Sequence, residues 1–375
     1  MKKTFRDKTL TFFKRLVGIL SIVFAVCLVF AMLAAFISPQ SFFLFAFFGL
    51  FFPVFLFINL FFVVFWLVQK RWKYVSVPTA AILLSFPTLI HYYGFHIGGN
   101  SKTAGAKSLK VLSYNVRNFD LYNWNHNKET RALMMKLISD QHPTVACFQE
   151  FYSSSDTAFQ NIEAIQQRTG MKYFYFEKSY MKKGKMFWGI ATFSQFPIVK
   201  KGKVQFENKT QNAATWSDLQ IDSATIIRVY NVHLQSIKLK EGEYGFIDSL
   251  SENKHADLNA GKTMLGKMKI AFQFRAAQAD KIAESISQSP YPVLLCGDFN
   301  DTPSSYAYYT ISKHLNDAFL NSSFGIGSSY VFFLPWFRID YILYDSHFRV
   351  ADFKTTHDKY SDHYPVMAEI EMKSP

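Results

Sequence analysis

Two long stretches without a charged residue, 16–38 and 41–68, decide what the first quarter of this chain can become. About 20 apolar residues suffice to cross the hydrocarbon core of a bilayer, so each reads as a transmembrane helix. A cleaved signal peptide fits poorly, because its apolar region is usually about 7–15 residues and here a second, longer stretch follows at once. A third segment, 75–97, contains Pro78, Pro87, His91 and His96 but no Asp, Glu, Lys or Arg. Proline is tolerated in membrane helices, so this segment is read as a third span, with its histidines as interfacial anchors.

Charge supplies the orientation. Lys2, Lys3, Arg6, Lys8, Lys14 and Arg15 precede the first span, and Lys70, Arg71 and Lys73 follow the second. Both clusters are expected on the cytoplasmic side. With three spans everything after about Gly98 lies across the membrane; with two it stays cytoplasmic. The expectation is a multi-pass protein of a bacterial inner (cytoplasmic) membrane, its soluble part in the periplasm.

The same segment distorts the average composition. The chain of 375 residues has a formal charge of +13, but residues 1–99 hold 20 of the 41 Phe, nine basic residues and a single acid, Asp7. The remainder is only mildly basic, so the overall charge is no argument for nucleic acid. Cys27, Cys147 and Cys296 lack metal-ligand spacing and are odd in number, which argues against a disulfide framework and points to core or lipid-facing positions.

GGNSKTAGAK, closing at Lys107, is small and polar, as domain linkers are. The expected organisation is a transmembrane region over 1–98, a linker over 99–107 and one large α/β domain over 108–375. Strand-like runs occur at 110–116, 144–149, 173–176, 189–194, 214–221, 226–233, 293–297, 340–344 and 366–371. Helices are expected after Asn127, from Asp156 to Gly170 and over 263–287. Strand pairs alternate with helical crossovers, which predicts two mixed sheets packed together with helices outside.

Chemistry gathers where apolar strands end. LKVLSYNV delivers Asn115 and TVACFQE delivers Glu150, residue types that collect hard oxygen ligands over a sheet, although each alone also suits a satisfied turn. In YNVHLQS, Asn231 and His233 are two apart and share a face. In CGDFND, Asp298 and Asn300 supply a carboxylate that takes a proton from water and an amide that orients it; an Asx-rich turn is the alternative. Asp340 opens an apolar strand and needs a cationic or metal partner. SDHYPV offers Asp362 and His363, so an Asp340–His363 pair is physically sensible, the carboxylate fixing the tautomer and favouring imidazolium.

Taken in order, SYNVRNF, CFQE, GIATFSQFPIV, YNVHLQS, CGDFND, RIDYIL and SDHYPV resemble the endonuclease/exonuclease/phosphatase superfamily. This metal-dependent group includes DNase I, abasic-site endonucleases, neutral sphingomyelinases and inositol-phosphate phosphatases. The resemblance implies the four-layer α/β sandwich of DNase I. It also implies Mg²⁺, with Mn²⁺ as a substitute, held by Glu150 with Asn115 nearby and Asp362 as a possible second contact. Asp298 would align or deprotonate the attacking water and Asn300 bind the scissile phosphate. His363, paired with Asp340, would stabilise the transition-state charge, and His233 would serve the leaving oxygen, with Asn231 in support.

Two departures bear on substrate. Gln195 stands where many relatives have Arg, and TQNAATWSDL offers Asn212 rather than a phosphate-gripping Arg. Two variable pieces remain, the polar 237–261, expected as a loop, and 321–337, whose Tyr330, Phe332, Phe333, Leu334, Trp336 and Phe337 suit base stacking, contact with lipid or a buried hairpin. The leading expectation is an Mg²⁺-dependent phosphodiesterase acting on nucleic acid. Cleavage of phospholipid or sphingomyelin-type headgroups is the alternative, and a catalytically silent membrane-anchored binding module on the same fold the third. The bilayer is the one further partner; no protein partner is implied.

Overall fold

The computed structural model describes residues 5–97, 100, 105, 107–155, 159–207, 210–237, 258–331 and 336–373. Most of the expected linker and of the 237–261 loop, and Phe332, Phe333 and Leu334, lie outside the described residues.

The apolar region folds as α1 (Phe5–Leu33), α2 (Leu44–Leu50), α3 (Phe52–Val68), α4 (Trp72–Leu84) and α5 (Phe86–Leu89). The part of α1 from Phe12 to Leu33 is long and apolar enough to cross a membrane; α2 and α3 pass the same test only together, as a pair bent by 68°. The expected single helix over 41–68 is therefore broken, and Pro53 in the first turn of α3 marks the break, since it has no N–H to continue the α2 ladder. The expected third helix over 75–97 is also corrected. α4 stops at Ser85, α5 restarts with Pro87 in its first turn, and the chain then extends into strand β1 (Tyr93–Phe95).

α1, α3 and α4 pack as an up-down-up bundle around Ala25, Leu28, Phe52, Leu56 and Ala81. One end carries Gly18 against Tyr74 and Trp66 stacked on Tyr74; the other carries Ala34 against Gly49. A Cβ on Gly49 would lie 2.6 Å from that of Ala34, so only glycine lets α2 approach α1 this closely. Asn59 is fully buried, and its Nδ2 donates to the carbonyl of Phe24 on α1 at 2.9 Å. A polar side chain among apolar helices is tolerated when it finds such a partner.

The remaining chain forms β2 (Ser108–Asn115), α6 (Thr130–Asp140), β3 (Val145–Ser154), α7 (Asn161–Thr169), β4 (Tyr173–Lys182), β5 (Met186–Ser194), β6 (Ile198–Lys203), β7 (Ala213–Gln220) and β8 (Ile226–His233). It continues through α8 (Leu258–Ser287), β9 (Val293–Asp298), α9 (Tyr306–Ser312), β10 (Asn316–Asp317), β11 (Phe324–Ile326), β12 (Asp340–Tyr344), β13 (Phe348–Thr355) and β14 (Val366–Met372). Two six-stranded mixed sheets result, ordered β10-β12-β9-β8-β7-β6 and β13-β14-β2-β3-β5-β4, while β1 pairs with β11 in a separate ribbon.

The inward faces of the two sheets bury Val111, Val145, Cys147, Val229, Leu294, Cys296, Ile342 and Ile370. On the outer faces, Met134 and Ile138 of α6 cover one sheet, and Ala279, Ile282 and Tyr308 of α8 and α9 cover the other. This is the expected four-layer sandwich. Its parallel pairs bring strand ends together: β2 and β3 set Asn115 opposite Gln149, and β8 and β9 set His233 opposite Asp298. Antiparallel β12 places Asp340 opposite Asp298.

Candidate active site

Asn115, His233 and Asp298 close their strands, Asp340 opens β12, Asp362 and His363 precede β14 and Glu150 lies within β3, and the register above gathers them at one mouth of the sandwich. Asp298 is the centre. Its side chain is fully buried and accepts from Asn115 Nδ2 at 2.9 Å and from the Asn300 backbone N–H at 2.8 Å. His233 Nε2 lies 3.6 Å and His363 Nε2 3.7 Å from its Oδ2. Burial raises the Asp298 pKa, while the two histidines and Asn115 pull it back.

His363 Nδ1 is 2.9 Å from Asp340 Oδ2, the pair expected from sequence. Burial opposes charge on this ring, but Asp340 and Asp298 outweigh it and hold the imidazole pKa well above its usual value. Two further contacts fix the pair. Ser329 Oγ accepts from the backbone N–H of both Ile339 and Asp340 at 2.9 Å, and the Tyr330 ring meets the His363 ring edge to face at 5.0 Å.

Glu150 reaches the site through a distortion. The β3–β5 register shifts between Phe148 and Phe151, and Glu150 itself has φ 48°, a left-handed conformation that costs energy for a residue with a Cβ. The bulge turns the carboxylate toward the mouth, where it stays 34% exposed and lies 4.0 Å from His233 Nε2. Removal from bulk water, with Asp362 and Asp298 close by, pushes its pKa up to about 7. Asn300 has φ 52° as well, and its Nδ2 donates to the Leu234 carbonyl at 3.0 Å. Asp362 is held by Arg117 Nε at 3.4 Å and by Ser361 Oγ at 3.2 Å.

The donor set suits a hard divalent cation. Glu150 and Asp362 present carboxylate oxygens beside the Asn115 amide, whose Oδ1 also accepts from the Arg117 backbone N–H at 3.1 Å, and the Glu150 pKa, raised first by burial and then by Asp362, marks a carboxylate whose charge a cation would relieve. Among the described residues, the ligand atoms of Asp298, Asp340 and His363 also lie within 4.8 Å of one another. Because His363 Nδ1 is already committed to Asp340, this trio reads as a hydrogen-bonded Asp340–His363 pair facing Asp298 across 3.7 Å.

Two of the expected substrate contacts have their side chains bonded within the fold. Asn231 points between the sheets, where its Nδ2 donates to the carbonyls of Ala191 and Phe148 and its Oδ1 accepts from Gln149 Nε2 at 2.8 Å. It clamps one sheet to the other and is fully buried. Asn212 is also buried, its Nδ2 donating to the Leu234 carbonyl at 2.8 Å and its Oδ1 accepting from Thr210. A basic residue does stand near the mouth, Arg117 inside the SYNVRNF motif, paired with Asp362 and with its guanidinium 4.6 Å from the Trp124 ring centroid. Ser329, Ser361 and the α8 residues Arg275 and Gln278, which bond Gln235 beside His233, have no local sequence signal.

A four-layer sandwich with carboxylates, amides and an acid-paired histidine at one mouth defines a metal-dependent phosphoester hydrolase. Residues 112–363 match the Endonuclease/Exonuclease/phosphatase family, and the chain belongs to that family. Residues 14–92 match a domain of unknown function, DUF8431. Among solved structures, the human nocturnin catalytic domain with bound sulfate anion is 18% identical at a TM-score of 0.51, covering 71% of this chain and 95% of that one. A family member from Bacteroides thetaiotaomicron is 18% identical at 0.51, covering 72% and 99%. One from Bacteroides vulgatus is 17% identical at 0.50, covering 71% and 100%. These likenesses establish the fold. No curated protein sequence matches the chain.

Proposed function

We propose that the chain is a membrane-anchored, Mg²⁺-dependent phosphodiesterase, with Mn²⁺ as a substitute metal and nucleic acid as first substrate class. The observation that carries this reading is the arrangement around Asp298: a buried carboxylate with Asn115 and Asn300 on one side and two imidazoles on the other. Asp298 is placed to take the proton of an attacking water. His363, kept charged by Asp340, donates to the phosphoryl oxygens as charge builds there, and His233 protonates the leaving oxygen. Glu150, Asn115 and Asp362 would hold the metal, which when bound neutralises the non-bridging oxygens. Asn300 orients the phosphate.

The anchor follows from the bundle. Its outward face carries Phe12, Ile19, Val23, Phe57, Phe61 and Val64, all exposed, an inverted pattern that suits lipid. Lys14, Arg15, Lys70, Arg71 and Lys73 belong to the end marked by Tyr74, while Gly49 and Tyr92 at the other end bond Ser304 of the sandwich. On the positive-inside rule, with α4 and α5 as the return crossing, this reading has the sandwich on the extracytoplasmic side.

A second reading, lipid-headgroup cleavage, is favoured by the seating of the bundle against Ser304, four residues beyond Asn300, and of Trp336, four before Asp340, against the bundle core. The test uses full-length protein with Mg²⁺ and an Asp298→Ala control on plasmid DNA, single-stranded DNA, sphingomyelin micelles and a generic phosphodiester. DNA cleavage lost in the variant supports the first reading, and lipid cleavage alone the second. No hydrolysis of any substrate with Mg²⁺ or Mn²⁺ overturns both.

A further inference from the structure

The β1–β11 ribbon presents an apolar surface that neither the bundle nor the sandwich covers. Phe95 is 68% exposed, Ile97 82% and Phe324 59%, and Ile326 is exposed beside them. Tyr93 packs against both Phe95 and Phe324, at ring-centroid separations of 4.8 and 5.4 Å, so the aromatic rings form one continuous cluster.

The ribbon is firmly built. Tyr93, Gly94 and Phe95 pair with Ile326, Gly325 and Phe324, and His96 adds a backbone bond to Ser323 at 3.0 Å and a ring bond to the Leu320 carbonyl, also at 3.0 Å. A Cβ on Gly94 would lie 2.3 Å from the Ser323 carbonyl oxygen, so glycine is required for this approach. A fixed strand pair that exposes several large apolar side chains suits an apolar surround better than water.

Its position indicates which surround. Tyr92, one residue before β1, is buried in the bundle, stacked on Phe52 at 5.3 Å and bonded to Ser304 at 2.8 Å. The ribbon therefore begins at the end of the bundle that meets the sandwich and, at about 3.3 Å per residue, extends only about 10 Å from it. Leu83, Leu84, Phe86 and Ile90, exposed on the bundle, immediately precede Tyr92 in the chain, so the exposed apolar residues run along the sequence from the bundle to the ribbon.

We infer that the β1–β11 ribbon lies in the headgroup region of the bilayer and rests the sandwich on the membrane surface. This rests on the membrane reading of the bundle proposed above. The occupant of the apolar face is lipid, because the face follows the exposed apolar segment of the bundle within a few residues and starts at the bundle's end, and Tyr93 in its ring cluster suits that depth. The ribbon also leads through Gly327 and Ser328 to Ser329 and Tyr330, which hold Asp340 and His363. The bilayer thus sets the position of the active-site wall as well as that of the anchor.

The test is spin-label accessibility in full-length protein reconstituted into phosphatidylcholine–phosphatidylglycerol vesicles. Cys27→Ala removes the one cysteine that is not buried. Single labels are placed through Phe324→Cys and Phe95→Cys on the ribbon, Val64→Cys on the outer face of α3 and Lys172→Cys beside β4, at the sandwich edge opposite β13. Collision with oxygen should exceed collision with a water-soluble nickel chelate at Val64 and at both ribbon positions, with the reverse at Lys172. An aqueous signature at both ribbon positions, with Val64 in lipid, overturns the ribbon placement alone. An aqueous signature at Val64 removes the membrane reading and the inference with it. Labels inaccessible to both reagents and broadened by spin–spin coupling show a second copy covering the ribbon, which also overturns it.

Discussion

Asp340 Oδ2 and His363 Nδ1 meet at 2.9 Å, leaving His363 Nε2 directed toward Asp298 at 3.7 Å. The carboxylate orients the ring and favours its charged form. Asp340→Asn keeps the shape but removes the charge, and should lower kcat about 10²–10⁴-fold, the range of a positioned acid or base. KM should change little, because Asp340 is buried behind the ring. Steady-state kinetics on a chromogenic phosphodiester checks the split.

The same pair gives a pH signature in metal-free protein. The folded-state pKa of His363 lies well above its usual value, so the pair's contribution is fully present below about pH 6.5, the unfolded value, and is lost as pH rises through the raised folded value. Asp340→Asn should therefore cost more stability at pH 6 than at pH values above that folded pKa. Thermal unfolding in EDTA across this range measures the difference, and a cost independent of pH would contradict the pairing.

A third expectation concerns the loop after Asp298. Arg275 on α8 lies 2.9 Å from Asp301, and both side chains are nearly excluded from solvent. Burial raises the Asp301 pKa even with Arg275 beside it. Arg275→Met strands that carboxylate and should destabilise the fold by about 3–5 kcal/mol. Replacing both partners with apolar residues should cost less than the single change, since no buried charge is then left unpaired. Calorimetry of the single and double variants decides this.

The candidate site was legible because most of its residues flank apolar runs, a pattern that survives without structural information. Asp298, Asn300, Glu150, Asn115, Asp340, His363, His233 and Asp362 all lie at or beside the mouth, and the nine strand-like runs all contain strands. Alternation put Asn231 on the same face as His233, and that is correct, but this face lies between the sheets for most of β8 and opens to the mouth only at its end. Periodicity cannot distinguish those two depths. β1 was illegible for another reason: its partner β11 is more than 200 residues away, and within the chain Tyr93–Phe95 simply prolongs an apolar run. The Phe324–Ile326 strand is too short to carry a pattern of its own.

Glu150 separates metal binding from general stability, because the two respond oppositely to one substitution. In metal-free protein burial, with Asp362 and Asp298 nearby, pushes its carboxyl pKa up to about 7, so at higher pH its charge opposes folding. The sign follows from a raised folded-state pKa: stability is greatest below the unfolded value and falls as pH rises through about 7. Glu150→Gln removes that desolvated charge at constant size and should raise the melting temperature in EDTA at pH 8. The wild-type chain should in turn gain about 2.7 kcal/mol from Mg²⁺ at a hundred times its Kd, a gain the variant should lose. Thermal unfolding of both proteins with EDTA and with saturating Mg²⁺ reads both effects. A variant less stable than wild type in EDTA, yet still stabilised by Mg²⁺, would move the metal away from Glu150.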